Sequence, residues 1–121
     1  MVSLETPVCD FGLPAIDFSL PGIDNKMWTL EDCCGENGLL IMFICNHCPY
    51  VKAIMDRLVR DTNALKQLGI NTVAIMSNDA AEYPEDSFEN MQGIAQQQQF
   101  SFPYLMDETQ QVAQAFGAVC T

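Results

Sequence analysis

An uninterrupted apolar run, Leu39 to Ile44, marks a buried strand near the middle of the chain. A different rhythm follows at once. Val51, Ile54, Met55, Leu58 and Val59 fall on one stripe of a helix, and Gly69 stands where that helix should stop. Ile70 to Met76 is a second apolar run, closed by the polar Ser77-Asn78-Asp79. Two strands without polar alternation, joined through a helix, predict a parallel βαβ unit with right-handed crossover. Upstream, Pro14 to Leu30 reads as two strands joined by a turn at Asp24-Asn25, preceded by an irregular lead-in from Met1 to Gly12. Trp28 is expected to pack in the core or along its edge. Glu31 to Gly38 reads as a turn leading into the central strand.

Downstream, Pro84-Glu85-Asp86-Ser87 predicts a helix start, since proline suits the first position and acids suit the positive end. Phe88, Met91, Ile94 and Ala95 give that helix an apolar face, weakened by Gly93 inside it. Gln96 to Gln99 reads as its solvated end. Phe102 to Met106 is a short extended segment. Asp107 through Gln110 fits a capping box ahead of a small stripe, Val112, Ala113 and Phe116, which Gly117 closes. The whole pattern is α/β.

Composition narrows the picture. A chain of 121 residues, 49% of them apolar, predicts one domain with one core, spanning 1–121. The net charge of −11 argues against nucleic-acid and anionic-membrane partners, which attract basic surfaces. No apolar stretch is long enough to span a bilayer. Met1 to Glu5 lacks the basic start and apolar core of a signal peptide, so a cytoplasmic location is expected. In that compartment the six cysteines are expected to be mostly reduced. Cys9 reads as a small buried or idle thiol, and the adjacent Cys33 and Cys34 read as free thiols, because a bond between neighbouring cysteines strains the peptide joining them.

Cys45 and Cys48 differ. Cys45 lies where the strand ends and the helix begins, a place where outward-pointing backbone N–H groups stabilise an anion. The thiolate is such an anion and is the nucleophilic form of cysteine. Cys48, about one helical turn further on, is placed to close a disulfide with it. Such a pair stores and releases two electrons. Half of a zinc site is the competing reading. It would need further ligands, and the chain's one histidine, His47, is adjacent to Cys48, where joint chelation is awkward. A thiol peroxidase and a non-enzymatic metal-binding module therefore stand as alternatives to a thiol–disulfide oxidoreductase.

The stretch Phe43-Ile44-Cys45-Asn46-His47-Cys48-Pro49-Tyr50-Val51 resembles the thioredoxin-fold superfamily, and within it the AhpC/TSA, or peroxiredoxin-like, family. The resemblance runs from about Leu13 to Thr121. It implies a three-layer α/β/α thioredoxin-like fold with an added N-terminal β-hairpin. It also implies that the chain stops before the cis-proline, the closing strands and the last helix of that fold. Thr121 matches the residue before that proline. Cys45 would be the nucleophile, Cys48 the resolving thiol and His47 a residue that tunes the pair. Asn46, Pro49 and Thr121 would lie at the substrate. No cofactor is implied beyond the redox-active disulfide itself, and no metal. The implied partners are a protein or small-molecule disulfide or dithiol and an upstream thiol reductant. A homodimer through the open sheet edge is a further expectation. The chain also departs from its relatives. Ile44 replaces the tryptophan before the first cysteine, and Leu39 replaces a buried acid, so any proton relay must come from elsewhere. Met42 and Gly38 stand where peroxiredoxins carry threonine and proline, so antioxidant peroxidase activity is expected to be weak at most.

Overall fold

The structure is a computed structural model, and it describes residue 5 and residues 7–120. Thr121 and the first four residues lie outside the described residues, and so does the expected substrate role of Thr121. Residues 7–17 form no regular element, and Val8 and Phe11 are exposed. The first regular elements are β1 (Ser19–Pro21) and β2 (Met27–Thr29), an antiparallel hairpin in which Leu20 faces Trp28. Its turn contains Asn25 with φ 64°, in the left-handed region that asparagine tolerates. Trp28 is half-buried and donates its indole N–H to Asp24 Oδ1 at 3.1 Å.

Helix α1 (Leu30–Cys33) occupies a stretch expected to be a turn. Thr29 and Asp32 make the capping box that starts it: the Thr29 hydroxyl accepts from the Asp32 N–H, and the Asp32 carboxylate accepts from the Thr29 N–H. The sheet proper follows. Strands β3 (Gly38–Phe43) and β4 (Ile70–Met76) are parallel and joined through α2 (Pro49–Gln67), as the apolar runs predict. Gly69, with φ 80°, supplies the left-handed residue just past the end of α2. Strand β5 (Tyr104–Met106) pairs in parallel with β4, so the order is β3-β4-β5. Among the described residues β4, not β3, is the central strand. Val73 to Met76 are wholly buried, whereas β3 is half-buried and its Leu40 is exposed. The hairpin reaches the far edge of the sheet through a bridge between Gly22 and Leu105.

Pro84 does not open a long helix. Residues Pro84–Asp86 form a single 3-10 turn, and the Ser87 hydroxyl then caps α3 (Phe88–Gln97) by accepting from the Asn90 N–H. The last helix, α4 (Gln111–Phe116), begins later than the capping-box reading requires, because Gln110 adopts φ 65°. Asp107 still caps it, with the Val112 and Ala113 N–H groups donating to its carboxylate at 3.3 and 2.9 Å.

The two-residue alternation of β4 divides the core in two. Ala74 and Met76 face α2 and α3, where Val51, Met55, Met91 and Tyr104 join Cys45 and Cys48. Val73 and Ile75 face the opposite layer, where Phe18, Leu20, Cys33 and Leu105 pack with Val112 and Phe116 of α4. Helices therefore lie on both faces of the sheet. Cys33 is buried in the second cluster, and burial, followed by the charges of Asp32 and Cys34, pushes its thiol up to about 11. The folded chain thus keeps this proton at pH values where the unfolded chain, at the ordinary 9.0, releases it. Stability from this group is complete below that ordinary value and is lost as pH rises through about 11. Urea titrations stepped through this window should show a loss on the order of 2 kcal/mol, and Cys33→Ala should remove that part of the pH dependence.

Candidate thiol site

The site forms where β3 gives way to α2. The Ile44 N–H extends the ladder by donating to Ile75 O at 3.1 Å, and the chain then bends through residues 44–48 before Pro49 opens the helix. Pro49 at the first helical position lacks an N–H that the helix would leave unused. Cys48 is the N-cap residue, and its carbonyl accepts the Lys52 N–H at 2.9 Å. Cys45 precedes the helix by a short loop, so Cys48 is separated from it by a bend and not by a helical turn. Both cysteines are buried, at 1% and 0% exposure, while Pro49 and Tyr50 beside them are exposed.

What holds the loop comes from far along the chain. Asp86, at the end of the 3-10 turn, is wholly buried. Its Oδ1 accepts the Asn46 backbone N–H at 2.7 Å. Its Oδ2 lies 2.7 Å from His47 Nδ1 and accepts from Asn78 Nδ2 at 3.0 Å. The His47 ring stacks on Tyr83, with centroids 5.0 Å apart and planes 12° from parallel. Asn46 is buried, and both ends of its amide are occupied within the chain: Nδ2 donates to Glu85 O, and Oδ1 accepts from the Tyr104 hydroxyl at 2.9 Å. Burial, then the nearby charges of Cys45 and Asp86, push the Tyr104 phenol well above its ordinary range, so it remains a donor.

The structure therefore brings Cys45, Asn46, His47 and Cys48 into one buried corner and leaves Pro49 on its rim. It adds Asp86, Asn78, Tyr83 and Tyr104, which the sequence reading did not single out. Donor atoms of Cys45, His47 and Asp86 all lie within 4.8 Å of one another. A soft divalent cation takes such donors, and there it would compete with the His47 contact and the other hydrogen bonds to the Asp86 carboxylate.

Three parallel strands, a thiol pair at the strand-to-helix junction and helices on both faces define a thioredoxin-like α/β protein. More narrowly, the chain belongs to the AhpC/TSA family, whose model matches residues 11–121. Among solved structures it is similar to an uncharacterized conserved protein from Geobacillus kaustophilus, at 46% identity and a TM-score of 0.96, covering 100% of this chain and 65% of that one. It is also similar to a hypothetical protein from Sinorhizobium meliloti 1021, at 36% identity and a TM-score of 0.88, covering 96% of this chain and 63% of that one. The chain thus spans less than two thirds of the length of both. A thioredoxin family thiol:disulfide interchange protein from Chlorobium tepidum TLS shares the fold at 18% identity, with a TM-score of 0.69 over 90% of this chain and 69% of that one. Comparison with the curated proteins finds no match. Among the described residues no helix is long and apolar enough to cross a membrane.

Proposed function

We propose that this protein is a thiol–disulfide oxidoreductase working through Cys45 and Cys48. The observation that carries the reading is the placement of Cys45 at the end of β3, with a histidine–carboxylate pair within 4.8 Å of it. In the reducing direction the Cys45 thiolate attacks one sulfur of a substrate disulfide. A Cys45–substrate bond forms, the substrate S–S bond breaks, and one substrate thiolate leaves. Cys48 then gives up its proton and attacks Cys45 Sγ, which releases the second substrate thiolate. The protein dithiol has lost two electrons and two protons, and the substrate has become two thiols. An upstream thiol reductant, in the reducing cytoplasm, restores the pair. Peroxide is the poorer substrate, because Met42 has no hydroxyl to donate to a peroxide oxygen in the transition state.

The test is a titration of the purified protein in glutathione redox buffers, with alkylation and mass measurement at each step. A single two-electron transition confined to Cys45 and Cys48 is expected. A pair that stays reduced across the buffer range would refute the reading.

His47 sets where that transition falls. An imidazolium beside Cys45 favours the thiolate and hence the reduced form, which makes the pair more oxidising. His47→Leu should lower the potential by tens of millivolts, at about 30 mV per 1.4 kcal/mol. An unchanged potential would make His47 a bystander.

A further inference from the structure

We propose that Asp86 is the positioning residue of this dithiol site: it fixes His47 with its proton on Nδ1 and pins the Cys45–Cys48 loop through the Asn46 N–H. The proposal rests on the exchange reading above and adds a residue that lies outside the Cys-x-x-Cys motif.

A carboxylate with no exposed surface is expensive unless its charge and lone pairs are satisfied. The donors to Asp86 are the Asn46 N–H, the Asn78 amide and His47 Nδ1, and among the described residues His47 is its one ion-pair partner. Two of those three donors are the two middle residues of the motif, 40 and 39 positions away in sequence. This buried charge is therefore spent on the thiol loop. The second buried acid, Asp107, differs. It serves the N–H groups of α4 and the Ser77 hydroxyl, at 2.8 Å from the latter, and none of the thiol loop.

An ionised carboxylate can only accept, so with Asp86 charged the 2.7 Å contact places the proton on His47 Nδ1. Nε2 is then the one ring position left to take up or give a proton. Tyr83 stacks on the ring and fixes its plane. The imidazole is 22% exposed while the thiols are buried, so solvent reaches the ring but scarcely the pair. In this scheme Asp86 takes no part in the sulfur chemistry itself. It acts by deciding which imidazole nitrogen is free and where the loop backbone sits.

The first test needs no variant. Nitrogen-15 spectra of the imidazole in the reduced protein should show the proton held on Nδ1, and a neutral ring protonated on Nε2 instead would overturn the proposal. The second is a double-mutant cycle read by Cys45 alkylation at neutral pH. His47→Leu alone should change the alkylation rate about tenfold. In an Asp86→Asn background the same change should alter it less than twofold, because the ring is no longer held. Equal effects in both backgrounds would sink the idea. Asp86→Glu should restore part of the coupling, which a purely structural role would not require. Alkylation needs no disulfide substrate, so failure of the cycle is distinct from failure of the exchange reading, which the redox titration reports.

Discussion

Cys45→Ser should abolish disulfide reduction, by at least about a thousandfold, and Cys48→Ser should turn the protein into a trap for its substrate. Burial does not separate the two thiols, since both are almost wholly enclosed. Their surroundings do. Cys45 shares its corner with the His47 and Asp86 donor atoms, whereas Cys48 is the cap residue of α2. The first can therefore be supported as an anion by a neighbouring ring, and on the proposed reading the second, in the same buried cluster, resolves the mixed bond. With Cys48 replaced, attack by Cys45 proceeds and resolution does not, so an adduct through Cys45 accumulates. Non-reducing electrophoresis and peptide mass mapping with a model disulfide would detect it. Faster alkylation of Cys48 than of Cys45 in the reduced protein would reverse the assignment.

Gly35→Ala should cost about 3 kcal/mol. A Cβ at Gly35 would press on the Gly69 carbonyl, and would stand 2.8 Å from Asn71 N and 2.9 Å from Gly38 O. All three are backbone atoms, and none can swing aside as a side-chain tip can. They also belong to a junction where the entry to β3 is tied to the exit of α2: the Asn37 N–H donates to Gly69 O at 2.8 Å, and Asn37 Nδ2 donates to Leu68 O at 2.7 Å. Displacing one strand start displaces both. Gly93 is the natural control. Nothing lies within 4 Å of a Cβ there, so Gly93→Ala inside α3 should stabilise by about 0.5–1 kcal/mol. Chemical denaturation of the two variants in parallel reads both signs. A Gly35→Ala protein as stable as the parent would mean that the junction yields easily.

Much of this frame was legible in the chain itself. The runs Leu39–Ile44 and Ile70–Met76 and the stripe between them carry period and burial in adjacent residues, and local pattern suffices for that. Where the sequence reading failed, the deciding contact was distant or the local signal had two meanings. Proline followed by acids suits the first turn of an α-helix and a 3-10 turn alike, and only Ser87, capping the next segment, shows which one formed. The Thr29–Asp32 capping box was hidden by the Cys-Cys-Gly that follows it, which reads as a turn. Asp107 caps α4, but the left-handed Gln110 delays the helix. Asp86 is the largest omission. In sequence it is one acid among several near a helix start, and its partners Asn46 and His47 lie across the βαβ unit. Nothing local distinguishes it from Glu85, which meets the loop through its backbone carbonyl.

Cys45 and Cys48 belong to the same apolar cluster as Val51, Met55, Met91 and Phe102. If the two close a disulfide, bond and fold share one closed thermodynamic cycle. Any free energy by which the packed interior prefers two thiols to a disulfide raises the reduction potential, by about 30 mV for each 1.4 kcal/mol. The same quantity is subtracted from the unfolding free energy of the oxidised chain. A preference for the disulfide reverses both signs together. Resistance to proteolysis would then follow the redox state of the surroundings, and a melting curve of each form would measure a difference in potential without an electrode.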